Sequence, residues 1–375
     1  MKKVKSYFTL LFVGICFVSC SGGTSEPKQQ QYAPANPQAT PEAKQLFSRL
    51  LALEKKGIMY GHQDDLMYGT TWWYEKDSSD IKSAVGDYPG VVGFELGQIE
   101  TGGERSLDSV SFVQITEQVK FFHKKNGVIT ISWHCINPIT SQIVGTEKPN
   151  GPGSAWDVPG KDDPVQSLGE VKSILPGGQN HELFNGYLTI LADYFLTWKD
   201  DEGKLIPFLF RPYHEHSGSF FWWGTVRCTP DEYASLWRYT VDFLRNKGLH
   251  NILFIYNTDK VYSVEEFLSG YPGDDYADML AIDWYGSGQE FNKLVDTALN
   301  FLTVEAEKRH KLAALSECGN TSWDIVNIFR KYKLSYFLTW RNRYQPDPDR
   351  RRPRDTDLLK SMYNDPQTLF LRDIQ

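Results

Sequence analysis

The chain of 375 residues has little cysteine, no excess of positive charge and no long hydrophobic run. Beyond the N-terminal segment only Cys135, Cys228 and Cys318 remain, and this odd number without close spacing disfavours both a zinc motif and a disulfide framework. We expect these three to be small buried residues. The net charge of -7 argues against a nucleic-acid-binding protein, because such proteins carry a basic face. The sequence also lacks a glycine-rich phosphate turn after its first apolar segment and a G-x-S-x-G turn, so dinucleotide binding and serine-hydrolase chemistry are disfavoured.

An apolar stretch near the N-terminus, YFTLLFVGICFV (7–18), is too short for an ordinary membrane span. It follows three lysines and precedes Cys20, after which the sequence is polar and rich in Pro and Gln. This pattern is similar to a bacterial lipoprotein signal and predicts a signal peptide over 1–19, acylation of Cys20 and a flexible linker over 20–39. We therefore expect an exported chain with a lipid anchor in a membrane, facing the periplasm rather than the cell surface. Simple secretion is the alternative.

Short apolar segments recur along the rest of the chain, and helical patterns separate them. The predicted strands are 57–63, 91–96, 127–134, 207–215, 251–257, 278–286, 311–319 and 335–342. Continuous apolar strands that alternate with helices are typical of a buried parallel sheet. Eight such repeats in about 300 residues predict an α/β fold of the (β/α)8 TIM-barrel type, a single domain over 40–375. Thr40 as a cap and Pro41 as the first helical residue predict the start of its first helix. A doubly wound sheet is the alternative.

Seven of these eight predicted strands end in polar or aromatic side chains. In chain order they are His62, Glu95, His134, the group Arg211, His214 and Glu215, then Asp283 with Tyr285, Glu317, and Trp340. The carboxyl ends of parallel barrel strands lie on one face, where enzymes of this fold place their chemistry. One polar strand end is more often structural, but so many together are difficult to explain by packing.

Two glutamates at these ends, Glu215 and Glu317, suit the hydrolysis of glycosidic bonds. A retaining glycosidase needs two carboxyl groups about 5–5.5 Å apart, one as acid/base and one as nucleophile. The alternative for each glutamate is a structural ion pair, and Arg211 is the obvious partner for Glu215. The aromatic run FFWW (220–223) weakens that alternative, because aromatic rings stack well on the apolar faces of sugars.

The run His214–Glu215–His216 raises a metal site as a further alternative. Side chains of consecutive strand residues alternate between two faces, so these three cannot all point to one ion. A further ligand would have to come from elsewhere, and we therefore predict neither a metal ion nor a cofactor.

Several motifs, taken in order, resemble the β-mannanases of glycoside hydrolase family 26. They are SWHCINP (132–138), SAWD (154–157), RPYHEHSGSFFWWG (211–224), DWYG (283–286), LSECG (315–319) and FLTW (337–340). The resemblance extends over most of the chain after the linker. It implies a (β/α)8 barrel that cleaves β-1,4-mannan by double displacement with retention, in which Glu215 is the acid/base and Glu317 the nucleophile.

The resemblance also implies a set of substrate-binding residues around the two glutamates. They are His134, Arg211, His214, Asp283 and Tyr285 around the sugar and the carboxylates, Trp340 and Trp156 as stacking platforms, and Phe220, Trp222 and Trp223 as a cleft wall. An apolar wall would raise the pKa of Glu215, as an acid catalyst requires. Arg211 and the Tyr285 hydroxyl would keep Glu317 ionised.

The segment 137–183, rich in Gly, Pro and Asp, is long enough to form one wall of the cleft. If it closes the cleft on the non-reducing side, the enzyme would release mannobiose from chain ends. If it leaves the cleft open, the enzyme would cut internally. Two other readings stay open at this point: a β-glucanase or β-1,3-xylanase of the same fold, and a non-catalytic glycan-binding lipoprotein.

Overall fold

Eight parallel strands close into a barrel in the computed structural model, which describes residues 1, 32–142, 154–156, 158, 169–319, 322–345, 347 and 356–375. The barrel strands are β1 (Ile58–Gln63), β2 (Val91–Glu95), β3 (Val128–Trp133), β4 (Phe208–Pro212), β5 (Ile252–Thr258), β6 (Met279–Trp284), β7 (Leu312–Cys318) and β8 (Tyr336–Thr339). Each strand pairs in parallel with the next, and β1 pairs with both β2 and β8. The predicted (β/α)8 fold is confirmed.

Helices follow most of the strands and cover the outside of the barrel. They are α1 (Pro41–Leu53), α2 (Asp80–Val85), α3 (Phe112–Lys124), α4 (Glu170–Ile174), α5 (His181–Phe195), α6 (Pro230–Asn246), α7 (Val264–Leu268), α8 (Gly288–Lys308), α9 (Trp323–Phe329), α10 (Thr356–Tyr363) and α11 (Leu371–Ile374). The start of α1 is the predicted one: Thr40 caps the helix by accepting a hydrogen bond from the Ala43 amide, and Pro41 is the first helical residue.

Every residue of the eight barrel strands is buried. Helices cover one face of these strands and side chains of the barrel interior cover the other, which explains their continuous apolar sequences. The predicted strand over 207–215 is too long, because β4 ends at Pro212. The next residues leave the extended conformation, with φ of 47° at Tyr213 and 54° at Glu215.

A short ninth strand, β9 (Thr368–Leu369), pairs in parallel with the beginning of β1. Two residues are too few to give a sequence pattern, and the prediction missed this strand. Gly57, just before β1, allows the close approach: a β-carbon there would lie 2.4 Å from the carbonyl oxygen of Gln367.

The predicted flexible linker over 20–39 is wrong for its last residues. The Ala35 amide donates a hydrogen bond of 2.6 Å to Asp278 Oδ1, and the Asn36 amide group lies 3.1 Å from His250 Nδ1. Asn36 and Ala39 are buried. Polar composition could not reveal these contacts, because their partners lie far away in sequence. Residues 2–31, with Cys20 and nearly all of the predicted signal peptide, lie outside the described part.

The described helices include none that is long and apolar enough to cross a membrane. The cysteines of the described ranges, Cys135, Cys228 and Cys318, are all free thiols. Cys135 and Cys318 are buried, as the sequence suggested, whereas Cys228 is half-buried.

Candidate active site

Arg211, near the end of β4, organises the acidic side chains at the carboxyl end of the barrel. Its Nη1 donates a hydrogen bond of 2.7 Å to Asp283 Oδ2, and its Nη2 donates to Glu317 Oε1. Burial alone would lower the pKa of Arg211, but the charges of these two carboxylates raise it. The guanidinium therefore stays charged and supplies the counter-charge of the site.

Glu317, in β7, is held by donors on both carboxylate oxygens. Arg211 contacts Oε1, and the Tyr285 hydroxyl donates a hydrogen bond of 2.7 Å to Oε2. Burial first, and then the negative charge of Glu317, raise the pKa of Tyr285 far above its ordinary value. The phenol thus keeps its proton and acts as a donor, and both contacts favour an ionised Glu317.

Glu215, three residues after β4, lies across from Glu317. Carboxylate oxygens of Glu215, Asp283 and Glu317 all lie within 4.8 Å of one another. Burial first, and then the charges of Glu317 and Asp283, raise the pKa of Glu215 well above its ordinary value. Glu215 is therefore a group that favours its protonated form, and it lies beside Glu317. Burial is the larger cause of the raised pKa, as the prediction of an apolar surrounding implied, and the neighbouring charges add to it.

The backbone that carries Glu215 is in a strained conformation. Tyr213 and Glu215 both have positive φ, which is uncommon for residues with a side chain. Specific donors hold this segment: the Tyr233 hydroxyl bonds to the Tyr213 carbonyl at 2.9 Å, and Trp223 Nε1 bonds to the His214 carbonyl at 2.8 Å. These two hydrogen bonds hold the backbone of the segment and so set the direction of the Glu215 side chain.

Trp222 and Trp223 are not part of the cleft wall, and that prediction is wrong. Both residues are 0% exposed. Their indole N–H groups bond to main-chain carbonyls, Trp222 to Cys135 at 2.9 Å and Trp223 to His214. An aromatic run does not reveal which rings face inwards, and here the loop folds back over its own strand. Phe220 stays partly exposed and can contact a ligand.

Glu95, at the end of β2, positions His134, which in turn contacts His214. His134 Nδ1 lies 2.8 Å from Glu95 Oε2, and the Nε2 atoms of the two histidines lie 3.1 Å apart. Burial alone would raise the pKa of Glu95, but the charge of His134 and hydrogen bonds from His134 and Ser132 lower it to about 2. Burial, with the nearby charges of Arg211 and His134, lowers the pKa of His214 well below its ordinary value. A neutral His214 can then accept at its Nε2 a hydrogen bond from the Nε2–H of His134.

The two predicted stacking residues lie on either side of His134. The Trp156 ring stacks on the imidazole of His134, with centroids 4.7 Å apart and an angle of 23°. The Trp340 ring meets the same imidazole edge to face at 6.4 Å. Both tryptophans are partly exposed, which leaves ring surface for a ligand. A cavity of about 240 Å³ adjoins Trp156, and its lining residues are Gln98, Leu107, His134, Ile136, Ser154, Ala155 and Trp156.

Asp283 is a supporting residue rather than a substrate contact, which corrects its predicted role. It is 0% exposed, and its Oδ1 accepts hydrogen bonds from Asn257 at 2.9 Å and Ser316 at 2.7 Å. A register shift between β6 and β7 places Asp283 opposite Glu317, with Ser316 as the extra residue. Asp283 therefore holds Arg211 in position through the hydrogen bond between Arg211 Nη1 and Asp283 Oδ2.

Asn257 is the functional residue that the sequence interpretation missed. It lies in β5, the one predicted strand for which no polar end was recognised, although the segment NILFIYN ends in this asparagine. Its Oδ1 accepts from the Glu215 amide at 2.9 Å, and its Nδ2 donates to Asp283 and Ser316. The side-chain amide of Asn257 thus holds both the backbone of Glu215 and the carboxylate of Asp283, which contacts Arg211.

This fold and this site together define a class: barrel enzymes that hydrolyse glycosidic bonds with two carboxyl groups at the ends of β4 and β7. The family model for glycosyl hydrolase family 26 matches residues 35–372. The chain belongs to glycosyl hydrolase family 26.

Solved structures of this family are similar to the chain over most of its length. A family 26 β-mannanase from Bacteroides ovatus is 38% identical, with a TM-score of 0.79 over 89% of this chain and 96% of that one. A modular endo-β-1,4-mannanase from Cellulomonas fimi is 27% identical, with a TM-score of 0.77 over 92% of this chain and 79% of that one.

A mannan endo-1,4-β-mannosidase from Bifidobacterium adolescentis is 29% identical over 298 residues. That match covers 76% of this chain but 27% of the relative. A mannan endo-1,4-β-mannosidase from Caldalkalibacillus mannanilyticus is matched over 59% of its length. The chain thus spans only part of these relatives, which carry further segments.

Proposed function

We propose that this enzyme hydrolyses β-1,4-mannan or manno-oligosaccharides with retention of configuration at the anomeric carbon. The observation that carries the proposal is the Glu215–Glu317 pair, whose carboxylate oxygens lie within 4.8 Å. This spacing matches a retaining pair rather than an inverting pair, whose carboxyl groups stand about 6.5–9.5 Å apart to admit a water. The raised pKa of Glu215 and the donors on both carboxylate oxygens of Glu317 support the same assignment.

In the first step, the ionised Glu317 attacks the anomeric carbon and forms an ester to the sugar. The glycosidic C–O bond breaks, and Glu215 transfers its proton to the departing oxygen. In the second step, Glu215, now a carboxylate, removes a proton from water as the water attacks the same carbon. The ester bond breaks, Glu317 is released as a carboxylate, and Glu215 is protonated again.

The donors on Glu317 suit both steps. Arg211 and Tyr285 stabilise the carboxylate before attack and again as it leaves the ester. Their hydrogen bonds also orient the carboxylate, because both oxygens have fixed partners. This geometry limits the motion that the nucleophile needs to reach the sugar.

The choice of mannan rests on the relatives, most of which are named as mannan endo-1,4-β-mannosidases. The endoglucanase H of Acetivibrio thermocellus is 34% identical, but over only 34% of this chain, so β-glucan stays the rival polymer. The relatives' names favour internal cutting. Release of mannobiose from chain ends stays a prediction, because it depends on the segment 137–183, much of which lies outside the described residues.

Product analysis on mannohexaose and linear mannan tests substrate, mode and stereochemistry together. We expect hydrolysis in which NMR detects the β-anomer first. A ladder of early products indicates internal cutting, and mannobiose alone indicates action at chain ends. Early α-anomer would contradict the double displacement, and turnover of mixed-linkage β-glucan without mannan would contradict the substrate.

We also propose a lipid anchor on Cys20 that faces the periplasm. The support is the sequence pattern alone: three lysines, a short apolar stretch and a cysteine before a polar segment. Mass spectrometry of the N-terminal peptide should detect an acylated Cys20, and Cys20→Ala should move the protein from the membrane to the soluble fraction. An unmodified Cys20 in a membrane-free protein would contradict the anchor.

A further inference from the structure

Two exposed aromatic side chains, Trp73 and Tyr344, stand side by side at the end of the barrel that carries the active site. Trp73 lies in the loop after β1, and Tyr344 lies in the loop after β8. Their rings are 5.8 Å apart at 75°, and the residues are 37% and 43% exposed. Neither belongs to the catalytic site described above.

The Trp73 ring is held in place by its own loop. Tyr68 and Trp73 form an antiparallel bridge, and their rings stack with centroids 4.7 Å apart and an angle of 15°. Tyr68 is buried, so it covers one face of the indole. The Tyr74 ring also meets the indole edge to face at 5.4 Å, and the exposed surface of Trp73 lies away from Tyr68.

Asp80, at the start of α2, joins the two loops that carry these rings. Its carboxylate accepts from the Thr70 amide at 2.9 Å, from Trp72 Nε1 at 2.9 Å, and from Asn342 in the other loop. The Gln345 amide also donates to the Thr70 carbonyl at 2.9 Å. Both loops are thus fixed against each other without a ligand, and little conformational entropy would be lost when a ligand binds.

A line of contacts connects the pair to the catalytic cleft. Trp340 contacts His134 in the cleft, and its neighbour Arg341 donates a hydrogen bond of 3.1 Å to the Tyr68 hydroxyl. The Tyr68 ring in turn stacks on the Trp73 ring. The two exposed rings therefore continue one side of the cleft, away from the two glutamates.

We propose that Trp73 and Tyr344 form a sugar-binding platform for a hexose ring of the bound glycan, remote from the bond that is cut. The inference rests on the proposed function. Fixed rings with exposed apolar surface suit the apolar face of a hexose, and their extent is too small for a stable interface with a second protein. The hexose is a main-chain mannose or a galactosyl branch of the same polymer.

Affinity measurements on a non-cleaving chain test the platform. The parent is the full chain with Glu317→Ala, to which Trp73→Ala, Trp73→Phe or Tyr344→Ala is added. The ligands for calorimetry are mannobiose, linear mannohexaose and a galactosyl-substituted oligosaccharide of similar length. Tyr32→Ala is the matched control, because Tyr32 is 40% exposed and meets the His310 ring at 5.1 Å near the opposite end of the barrel.

We expect Trp73→Ala and Tyr344→Ala to weaken binding of a long ligand by about three- to tenfold, which corresponds to the loss of one aromatic contact. Mannobiose affinity should not change, Trp73→Phe should keep most of the affinity, and Tyr32→Ala should have no effect. Weaker binding of both long ligands identifies a main-chain mannose, and weaker binding of the substituted ligand alone identifies a branch.

Unchanged affinity for both long ligands in both alanine variants would overturn the platform and leave the proposed function intact. An equal loss for mannobiose would also overturn it, since the change would then act at the catalytic site. A wild-type chain that leaves mannan intact, with a parent that binds no mannohexaose, would overturn both proposals. Thermal unfolding of each variant separates these results from misfolding.

Discussion

The two sides of the catalytic cleft carry the same residue type in different surroundings. On the β7 side, Glu317 has a charge-assisted contact from Arg211 and a hydrogen bond from the Tyr285 hydroxyl. On the β4 side, burial and the nearby carboxylates favour a protonated Glu215. The surroundings of each carboxyl group, not its chemistry, therefore support the proposed roles: acid for Glu215 and nucleophile for Glu317.

The supports of the two sides differ as well. Glu317 is held through its side chain, whereas Glu215 is held through its backbone, by Asn257 and by donors to the preceding carbonyls. A group that must gain and lose a proton in each cycle benefits from a fixed backbone and a carboxyl group that can exchange protons. A group that must stay charged benefits from fixed donors. Four substitutions test this contrast.

Replacing the nucleophile should have the largest effect. Glu317→Gln keeps the shape of the side chain but removes the attacking carboxylate, so kcat on mannan should fall by roughly 10⁴-fold or more. Arg211 and Asp283 would keep their mutual contact, and the fold should be retained. Reducing-sugar assays measure the effect. A loss of less than tenfold would show that another group attacks the sugar.

Replacing the acid should cost less and depend on the leaving group. Glu215→Gln should lower kcat/KM on mannan by about 10²–10⁴-fold, the range for general acid–base catalysis. Aryl mannobiosides with acidic phenols need little protonation, so the first step on them should be nearly unaffected. A loss that is equal for all leaving groups would contradict the assignment of Glu215 as the acid.

The pH dependence of the wild type follows from the same group. Because the folded protein raises the pKa of Glu215 from 4.5, activity should persist above pH 4.5 and fall as pH rises through the raised value. The contribution of Glu215 to stability is fully present below pH 4.5 and is lost over the same rise. Glu215→Gln should therefore remove part of the alkaline destabilisation, measured as the free energy of unfolding against pH.

Removing one donor from Glu317 should have an intermediate effect. Tyr285→Phe deletes the hydroxyl that lies 2.7 Å from Glu317 Oε2, and a hydrogen bond to a charged group contributes about 1.5–3 kcal/mol. We expect kcat on mannan to fall by about 10- to 100-fold. An unchanged kcat would show that the tyrosine does not act on Glu317.

Glu95→Gln should have the smallest effect on turnover and a clear effect on stability. The pKa of Glu95 is lowered from 4.5 to about 2, so its contribution is present above pH 4.5 and is lost as pH falls towards 2. The variant should lose about 3 kcal/mol of stability at neutral pH. Urea unfolding at pH 7 and near pH 2 measures the difference in the free energy of unfolding between the wild type and the variant. This difference should disappear at the lower pH. A difference that is constant with pH would contradict the charge interaction with His134.

The sequence revealed the parts of this molecule that depend on local pattern. Continuous apolar segments predicted the eight barrel strands, and Thr40 with Pro41 predicted the start of α1. Polar strand ends indicated where Arg211 and Glu317 would meet, since all parallel strands of a barrel end on one face. The missed or wrong assignments concern the direction in which side chains point. They are the orientation of the rings of 220–223 and the contacts of Asn257.

The sequence alone determined the fold class, the family resemblance and the two glutamates, because periodicity and motif order are written along the chain. The tertiary structure alone decided the raised pKa of Glu215 and the donors that hold Glu317, since these depend on burial and on charges brought from β4, β6 and β7. It also turned Trp222 and Trp223 into buried supports and exposed Trp73 beside Tyr344. These outcomes depend on distances between residues that are remote in sequence, and no local pattern contains them.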